Sequence, residues 1–425
     1  MELIAGKSKL KGKVTIPASK SHTIRAVAIA ALASGKSFIR NPLISNDAIS
    51  AAHCYGQLGA KIDTSDLKVW QVTGTGGKLD APNEPIDVGN SGTTLRLAMG
   101  SASLLEHGQA ITLTGDDQTN NRPIGPLIKS LNELGAKCVS LKNNSKAPVK
   151  IAGKITGGKT SIEAFTSQYL SSLLLCAPLA KNDTEIDVPL LNEPGYVQMT
   201  LDWLDKQNIE YKRQELRNLK IKGNQSYTSF NTTIPADFSS ATFFLCAAAL
   251  CGDGVTLEGL DFIDSQPDKA VVDYLKAMGA DITIGELSIT VKASQLKGID
   301  IDMNGTPDAL PAMAVTAAFA EGTTRLLNVP QARSKETDRI KAMAVELKKM
   351  NVDIEELQDG LIIRRSRPRP AKLHGWADHR IVMALSLAAM CIDEQCVIDT
   401  AEAMNVTFPE YVKLMKTIGA NMETK

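Results

Sequence analysis

The sequence has no excess of either charge: Lys and Arg total 47, as do Asp and Glu, in 425 residues. Without bulk charge, neither nucleic acid nor an anionic membrane is an expected partner, and any anion site must be a local gathering of cations. Long apolar runs are also absent. Ala26–Ala33 and Ile381–Met390 are too short to cross a bilayer and read as buried helices. Met1–Leu10 lacks the apolar core of a secretory signal. The seven cysteines include no Cys-x-x-Cys pair, and most lie in apolar runs such as Phe243–Cys246. An odd count without a framework favours a reducing compartment, so a cytoplasmic protein is expected. His53, His107 and His374 have no partners at ligand spacing, so no metal is expected. No Gly-x-Ser-x-Gly elbow occurs, and Gly89–Arg96 lacks the Lys-Ser/Thr ending of a P-loop. Gly74–Gly77 falls short of a dinucleotide fingerprint.

What is present is a soluble, globular composition, 43% hydrophobic and 22% charged, long enough for two or three domains. A weak repeat runs through it. Leu58–Ile62 (Leu-Gly-Ala-Lys-Ile) recurs at Leu134–Cys138 and Met278–Ile282, with looser copies at Gln207–Glu210, Met350–Asp353 and Ile418–Asn421. The period is roughly 70 residues, which gives about six units. Each copy reads as a helix end, a Gly or Asn cap, then a strand start. Strand signals fall at Lys13–Ile16, Ile111–Leu113, Thr184–Val188, Gly254–Leu257 and Thr323–Leu327. Six mixed α/β units divide most simply into two domains of three. The expected division is residues 18–234 against a discontinuous partner of 1–17 plus 235–425, with the turn-rich Gly223–Thr233 near the crossing.

Polar residues gather at expected helix starts. Ser334–Arg339 reads as one: Ser334 suits an N-cap, and Lys335 and Arg339 then share a face with Glu336 in the first turn. Helix N-termini attract anions, and the cations strengthen that pull. Ser19–Arg25 places Ser21 and Arg25 one turn apart. Gly89–Arg96 lets backbone N–H groups approach a ligand near Gly92, with Arg96 a turn later. Pro123 suits a first helical position after Arg122. Thr166–Gln168 offers two hydroxyls and an amide before an apolar helix. Asp237–Ser240 reads as a plain cap, and Asp308 precedes another apolar run. Asp378 is a candidate N-cap, followed by His379 and Arg380, cations that oppose the helix dipole and so are not placed for stability. A neutral chain that concentrates cations at Gly turns and helix starts fits small, multiply anionic ligands, with Asp308 and Glu336 as an acid–base pair.

In series, these motifs resemble the 5-enolpyruvylshikimate-3-phosphate synthase family, the 3-phosphoshikimate 1-carboxyvinyltransferases. Ser19–Ser21, Gly89–Thr93, Arg122–Pro123, Thr166–Gln168, Pro307–Ala309, Lys335–Arg339 and Asp378–Arg380 come in the family's order along nearly the whole chain. The resemblance implies a two-domain inverse α/β barrel, each domain three βαβαββ units, with helix N-termini aimed at a cleft between them. It implies transfer of the enolpyruvyl group of phosphoenolpyruvate to the 5-hydroxyl of shikimate 3-phosphate, releasing phosphate on the way to chorismate. No cofactor and a monomer are expected. By resemblance, Lys20, Gly92, Arg122, Gln168, Arg339 and Arg380 face phosphoenolpyruvate. Lys20, Ser21, Arg25, Thr166, Ser167, Gln168, Asp308 and Lys335 face shikimate 3-phosphate. Asp308, Glu336, Lys20 and His379 form the catalytic set, with Glu336 protonating the methylene and Asp308 taking the hydroxyl proton.

Three departures stand out. Glu193 occupies the place of a usual Ser, Gln331 that of Asn, and Val406 that of a Lys before Thr407–Pro409. An acid near the 3-phosphate would repel it, and Val406 removes one phosphoenolpyruvate cation. The related enzyme acting on UDP-N-acetylglucosamine carries a reactive Cys near Gln118–Arg122, where this chain has none. A non-catalytic or altered-acceptor binding protein of the same fold is the alternative reading, supported mainly by Val406.

Overall fold

Residues Gly59, Gly135, Asn208, Gly279, Asn351 and Gly419 all adopt left-handed backbone, with φ between 54° and 109°. Each directly follows the capping residue of a helix, at Leu58, Leu134, Gln207, Met278, Met350 and Ile418. These are the six repeat corners. Glycine and asparagine tolerate this conformation where other residues pay a steric cost, so they stop each helix and turn the chain into the next strand.

The computed structural model describes residues 1–425. It divides into two compact units, Met1–Pro17 with Pro235–Lys425, and Ala18–Ile234. Each contains three four-stranded sheets of one design. In one of them, Gly158–Ala164 pairs parallel with Thr184–Leu191, which pairs antiparallel with Asn218–Ile221, beside Tyr211–Gln214. A helix follows each of the first two strands, which makes the βαβαββ unit. The parallel pair needs a helical crossover and the antiparallel pair only a tight turn. The expected strands fall within Leu10–Thr15, Ala110–Thr114, Thr184–Leu191, Gly252–Glu258 and Thr323–Leu327, save that the first ends one residue sooner than its signal.

Two strands from the chain's start serve the discontinuous unit. Leu10–Thr15 pairs parallel with Gly252–Glu258. Leu3–Gly6, which carried no separate signal, lies between Cys396–Ile398 and Asn421–Thr424. Asn231–Thr233, within the turn-rich stretch near the crossing, is a strand paired with Lys36–Arg40.

The two helices of each repeat differ in kind. The first is apolar almost all round and buried: Lys20–Leu32, Gly92–Ala102 and Ser167–Cys176 in one unit, Phe238–Cys251, Leu310–Phe319 and His379–Met390 in the other. The second is amphipathic, as in Arg339–Lys349, with Ile340, Met343 and Leu347 buried and Lys341, Lys348 and Lys349 outward. Each unit thus has its own core. Most of the polar motifs sit at the starts of the buried helices, where unsatisfied N–H groups demand partners, while Lys335–Arg339 leads into an amphipathic helix and Arg122 follows the short helix Asp117–Asn121. No helix is long and apolar enough to cross a membrane.

Candidate active site

In the unit of residues 18–234, three buried helices begin with candidate ligand-binding residues. Ser19 caps Lys20–Leu32 by accepting from the His22 N–H at 3.4 Å. Lys20 lies in the first turn, where the helix dipole opposes it, and its Nζ is held 3.0 Å from Oδ2 of Asp47. Arg25 is buried and spans three helices. Nε donates to Thr200 Oγ1 at 2.9 Å, Nη1 to the Ser21 carbonyl at 3.0 Å and Nη2 to the Tyr196 carbonyl at 3.0 Å. Burial pulls its guanidinium down to about 10. Ser21 and Arg25 are therefore joined to each other, through the Ser21 backbone.

Gly92 opens the second of these helices. A Cβ there would lie 2.3 Å from Nη1 of Arg122 and 2.9 Å from Nη1 of Arg96, so only glycine lets both guanidinium groups come this close. Arg96 donates to Oε1 of Gln168 at 2.8 Å, and Nε2 of Gln168 donates to Thr93 Oγ1 at 3.1 Å. Gly92, Arg96, Arg122 and Gln168 thus form one cationic group. Pro123 is not the first residue of a helix as expected. Arg122 ends the short helix Asp117–Asn121, and the next begins at Gly125 with Pro126 in its first turn. Thr166 and Ser167 begin the third helix, and both bond to Glu193.

In the discontinuous unit, Arg339 is the centre. Its side chain is 1% exposed and meets three carboxylates. Nε donates to Asp378 Oδ2 at 2.8 Å, Nη1 to Asp308 Oδ1 at 2.7 Å, and Nη2 to Glu336 Oε2. Arg380 Nη2 approaches Asp308 Oδ2 at 3.2 Å, and Lys335 Nζ lies 4.0 Å from Asp308 Oδ1. His379 is buried in the same group, its Nδ1 3.8 Å from Asp378 Oδ1. Burial alone would raise the Asp308 carboxyl, but Arg380, Lys335 and Arg339 outweigh it and hold the group well below the usual range. Burial would likewise lower Arg339, and Asp378, Glu336 and Asp308 raise it instead.

The helix of the Lys-Glu-Thr-Asp-Arg motif starts later than expected. Asp338, not Ser334, is its N-cap, accepting from the Lys341 N–H at 3.0 Å. Ser334 ends a short 3₁₀ turn, Pro330–Ser334, and Lys335 is non-helical, with φ −85° and ψ −147°. Lys335 and Glu336 therefore precede the helix and do not share its face with Arg339. Arg333 fixes the choice, donating to Asp338 Oδ2 at 2.6 Å and to the Leu357 carbonyl at 2.6 Å. Asp378 caps His379–Met390 as expected, through the Arg380 N–H at 2.8 Å. Asp237 caps Phe238–Cys251.

Sequence reasoning missed several members. Asp47 pairs Lys20, and its only signal was an acid after Ser45 at a helix start. Asp378 was read as a cap alone, although an acid next to two basic residues also signalled an ion pair. Thr200 and Ser171 carried no signal, since only tertiary packing brings them to Arg25.

The sequence matches the family described as EPSP synthase (3-phosphoshikimate 1-carboxyvinyltransferase) over residues 4–415. It is 52% identical over 424 residues to the 3-phosphoshikimate 1-carboxyvinyltransferase of Acetivibrio thermocellus, covering 100% of both chains. It is 49% identical to that of Ruminiclostridium cellulolyticum, again over 100% of each. Among solved structures, the EPSP synthase of Acinetobacter baumannii superposes with a TM-score of 0.84 at 27% identity, covering 100% of this chain and 99% of the other. The chain belongs to the EPSP synthase family.

Proposed function

We propose that this chain transfers the enolpyruvyl group of phosphoenolpyruvate to the 5-hydroxyl of shikimate 3-phosphate and releases phosphate. The Arg339 cluster is the observation that carries it: two carboxylates of different setting, Asp308 and Glu336, share one buried guanidinium. The reaction needs one group to take a proton from the hydroxyl and another to give one to the methylene carbon. Asp308, held ionised by three cations, accepts the hydroxyl's hydrogen bond and then its proton. Glu336 donates to the methylene.

The hydroxyl oxygen bonds to the carbon bearing the phosphate, giving a tetrahedral intermediate. Loss of a methyl proton and departure of phosphate restore the double bond. Lys20, Gly92, Arg122, Gln168, Arg339 and Arg380 bind phosphoenolpyruvate and steady the leaving phosphate. Lys20, Ser21, Arg25, Thr166, Ser167, Gln168, Asp308 and Lys335 bind the acceptor. Arg25 acts largely through others, since its donors are engaged by Ser21, Thr200 and Tyr196. Lys20 and His379 complete the catalytic set. In this reading the protein works as a cytoplasmic monomer.

The test is phosphate release from phosphoenolpyruvate with and without shikimate 3-phosphate. Release that depends on the acceptor is expected. No release with both substrates, or equal release without the acceptor, overturns the proposal.

A further inference from the structure

At the start of the Ser167–Cys176 helix, a glutamate carboxylate from elsewhere in the chain takes the free donors. Thr166, at its N-cap, makes no side-chain cap bond of its own. Instead, one oxygen of Glu193, Oε2, accepts from the Ser167 N–H at 3.1 Å, the Ser167 hydroxyl at 2.6 Å and the Thr166 hydroxyl at 3.2 Å. Glu193 is 1% exposed. Its backbone is left-handed, with φ 58° and ψ 49°, which a glutamate adopts only at a cost. Pro194 then opens the next helix, Pro194–Lys206. That helix is anchored by Arg25, through the Tyr196 carbonyl and Thr200. It is the Glu193 side chain that reaches these donors.

We propose that Glu193 is a built-in competitor for the phosphate of the acceptor and sets which anions enter this site. The proposal rests on the reading above that Thr166 and Ser167 receive that phosphate. One N–H and two hydroxyls at a helix start suit a single anionic oxygen cluster. A carboxylate and a phosphate dianion cannot share them, because two anions at hydrogen-bond distance repel strongly away from bulk water. Phosphate binding there therefore requires Glu193 to rotate out. A free inorganic anion has only the three donors to gain and does not displace a carboxylate that is covalently held beside them. An acceptor gripped elsewhere by its ring hydroxyls and carboxylate brings the extra binding energy needed. The site stays closed to stray phosphate, including the reaction's own product, at the cost of weaker acceptor binding.

The test compares wild type with Glu193→Gln, which keeps an oxygen acceptor for the helix start but removes the charge, and with Glu193→Ser. Inorganic phosphate binding is measured by calorimetry, and KM is measured for both substrates. In Glu193→Gln, phosphate binding tightens and the KM for shikimate 3-phosphate falls, each by roughly tenfold, as removal of one close like charge allows. The KM for phosphoenolpyruvate stays unchanged. Should phosphate binding and acceptor KM stay the same or worsen, Glu193 is a helix cap only and the proposal fails. If Glu193→Ser does not fold, Glu193→Gln still decides. If neither protein turns over shikimate 3-phosphate, the functional reading falls, while the calorimetry still judges Glu193.

Discussion

The two polar clusters use the same side chains to opposite ends. Around Arg339, three cations (Lys335, Arg339, Arg380) meet three carboxylates (Asp308, Glu336, Asp378). Around Gly92 and Lys20, four cations (Lys20, Arg25, Arg96, Arg122) share a unit with Asp47 and Glu193, and several of their bonds go to neutral carbonyls, hydroxyls and an amide. A balanced network can hand protons between its members without a change of net charge, whereas a cationic one is kept short of anions and takes them from solution. The comparison sets a charge-balanced cluster against a cationic one.

Arg339→Ala attacks the balance at its centre. It leaves three carboxylates around an empty space, and about 3–5 kcal/mol of stability is expected to go, as when one partner of a buried pair is removed. Urea denaturation measures it, and a loss no larger than that of a surface mutation would break the comparison. The loss should shrink in acid. Asp308 has a folded-state pKa below its unfolded value, so its contribution is present above about pH 4 and is lost as pH falls towards the folded pKa.

Glu336→Gln keeps the shape and removes the acid. Turnover is expected to fall by roughly a hundredfold or more, with shikimate 3-phosphate binding retained in calorimetry. Near-normal turnover would end the assignment of Glu336 as proton donor. In the other half, Arg122→Gln should act on binding. The KM for phosphoenolpyruvate rises by roughly tenfold to a hundredfold, the worth of one charge-assisted contact. Its stability loss is smaller than that of Arg339→Ala. The reverse ranking would merge the two clusters into one kind of site.

Val406→Lys sharpens the picture with the smallest effect. Val406 ends the 3₁₀ segment Ala401–Val406 and offers no donor. Lys413, the nearest substitute by sequence, already pairs with Glu410 at 3.0 Å. Adding a lysine at 406 should lower the KM for phosphoenolpyruvate by up to roughly tenfold, while Lys413→Ala leaves it unchanged. A KM that responds only to Lys413→Ala would identify Lys413 as the replacement charge.

The repeat was legible because its signal is local. A Gly or Asn after an apolar helix end needs no distant partner to turn the chain left-handed, and all six do so. The buried helices were legible from their apolar runs. Helix starts with one good capping residue, Asp237 and Asp378, were read correctly from that residue. Ser334 and Asp338 are both good caps within one turn, and Arg333 decides between them through a strand more than twenty residues later. What each cation touches was the least legible part. The sequence marks Lys20, Arg25 and Arg339 as unusual, but Asp47, Thr200 and Asp378 reach them only once the helices have packed. Glu193 was legible as an acid in the wrong place; its position on the Thr166 and Ser167 donors was not.

The pairing of Leu3–Gly6 with Asn421–Thr424 has a consequence for how the molecule is made. Residues 18–234 contain every strand of their three sheets and can complete them in one continuous stretch. The other unit cannot. Leu10–Thr15 is made well before Gly252–Glu258 and must wait for it, and Leu3–Gly6 must wait for Asn421–Thr424. Bringing such distant segments together carries the largest loop-closure entropy in the chain, and non-local strand pairing is slow. The contiguous unit therefore sets first, and the unit that holds Arg339 and its carboxylates closes only once Asn421–Thr424 reaches Leu3–Gly6.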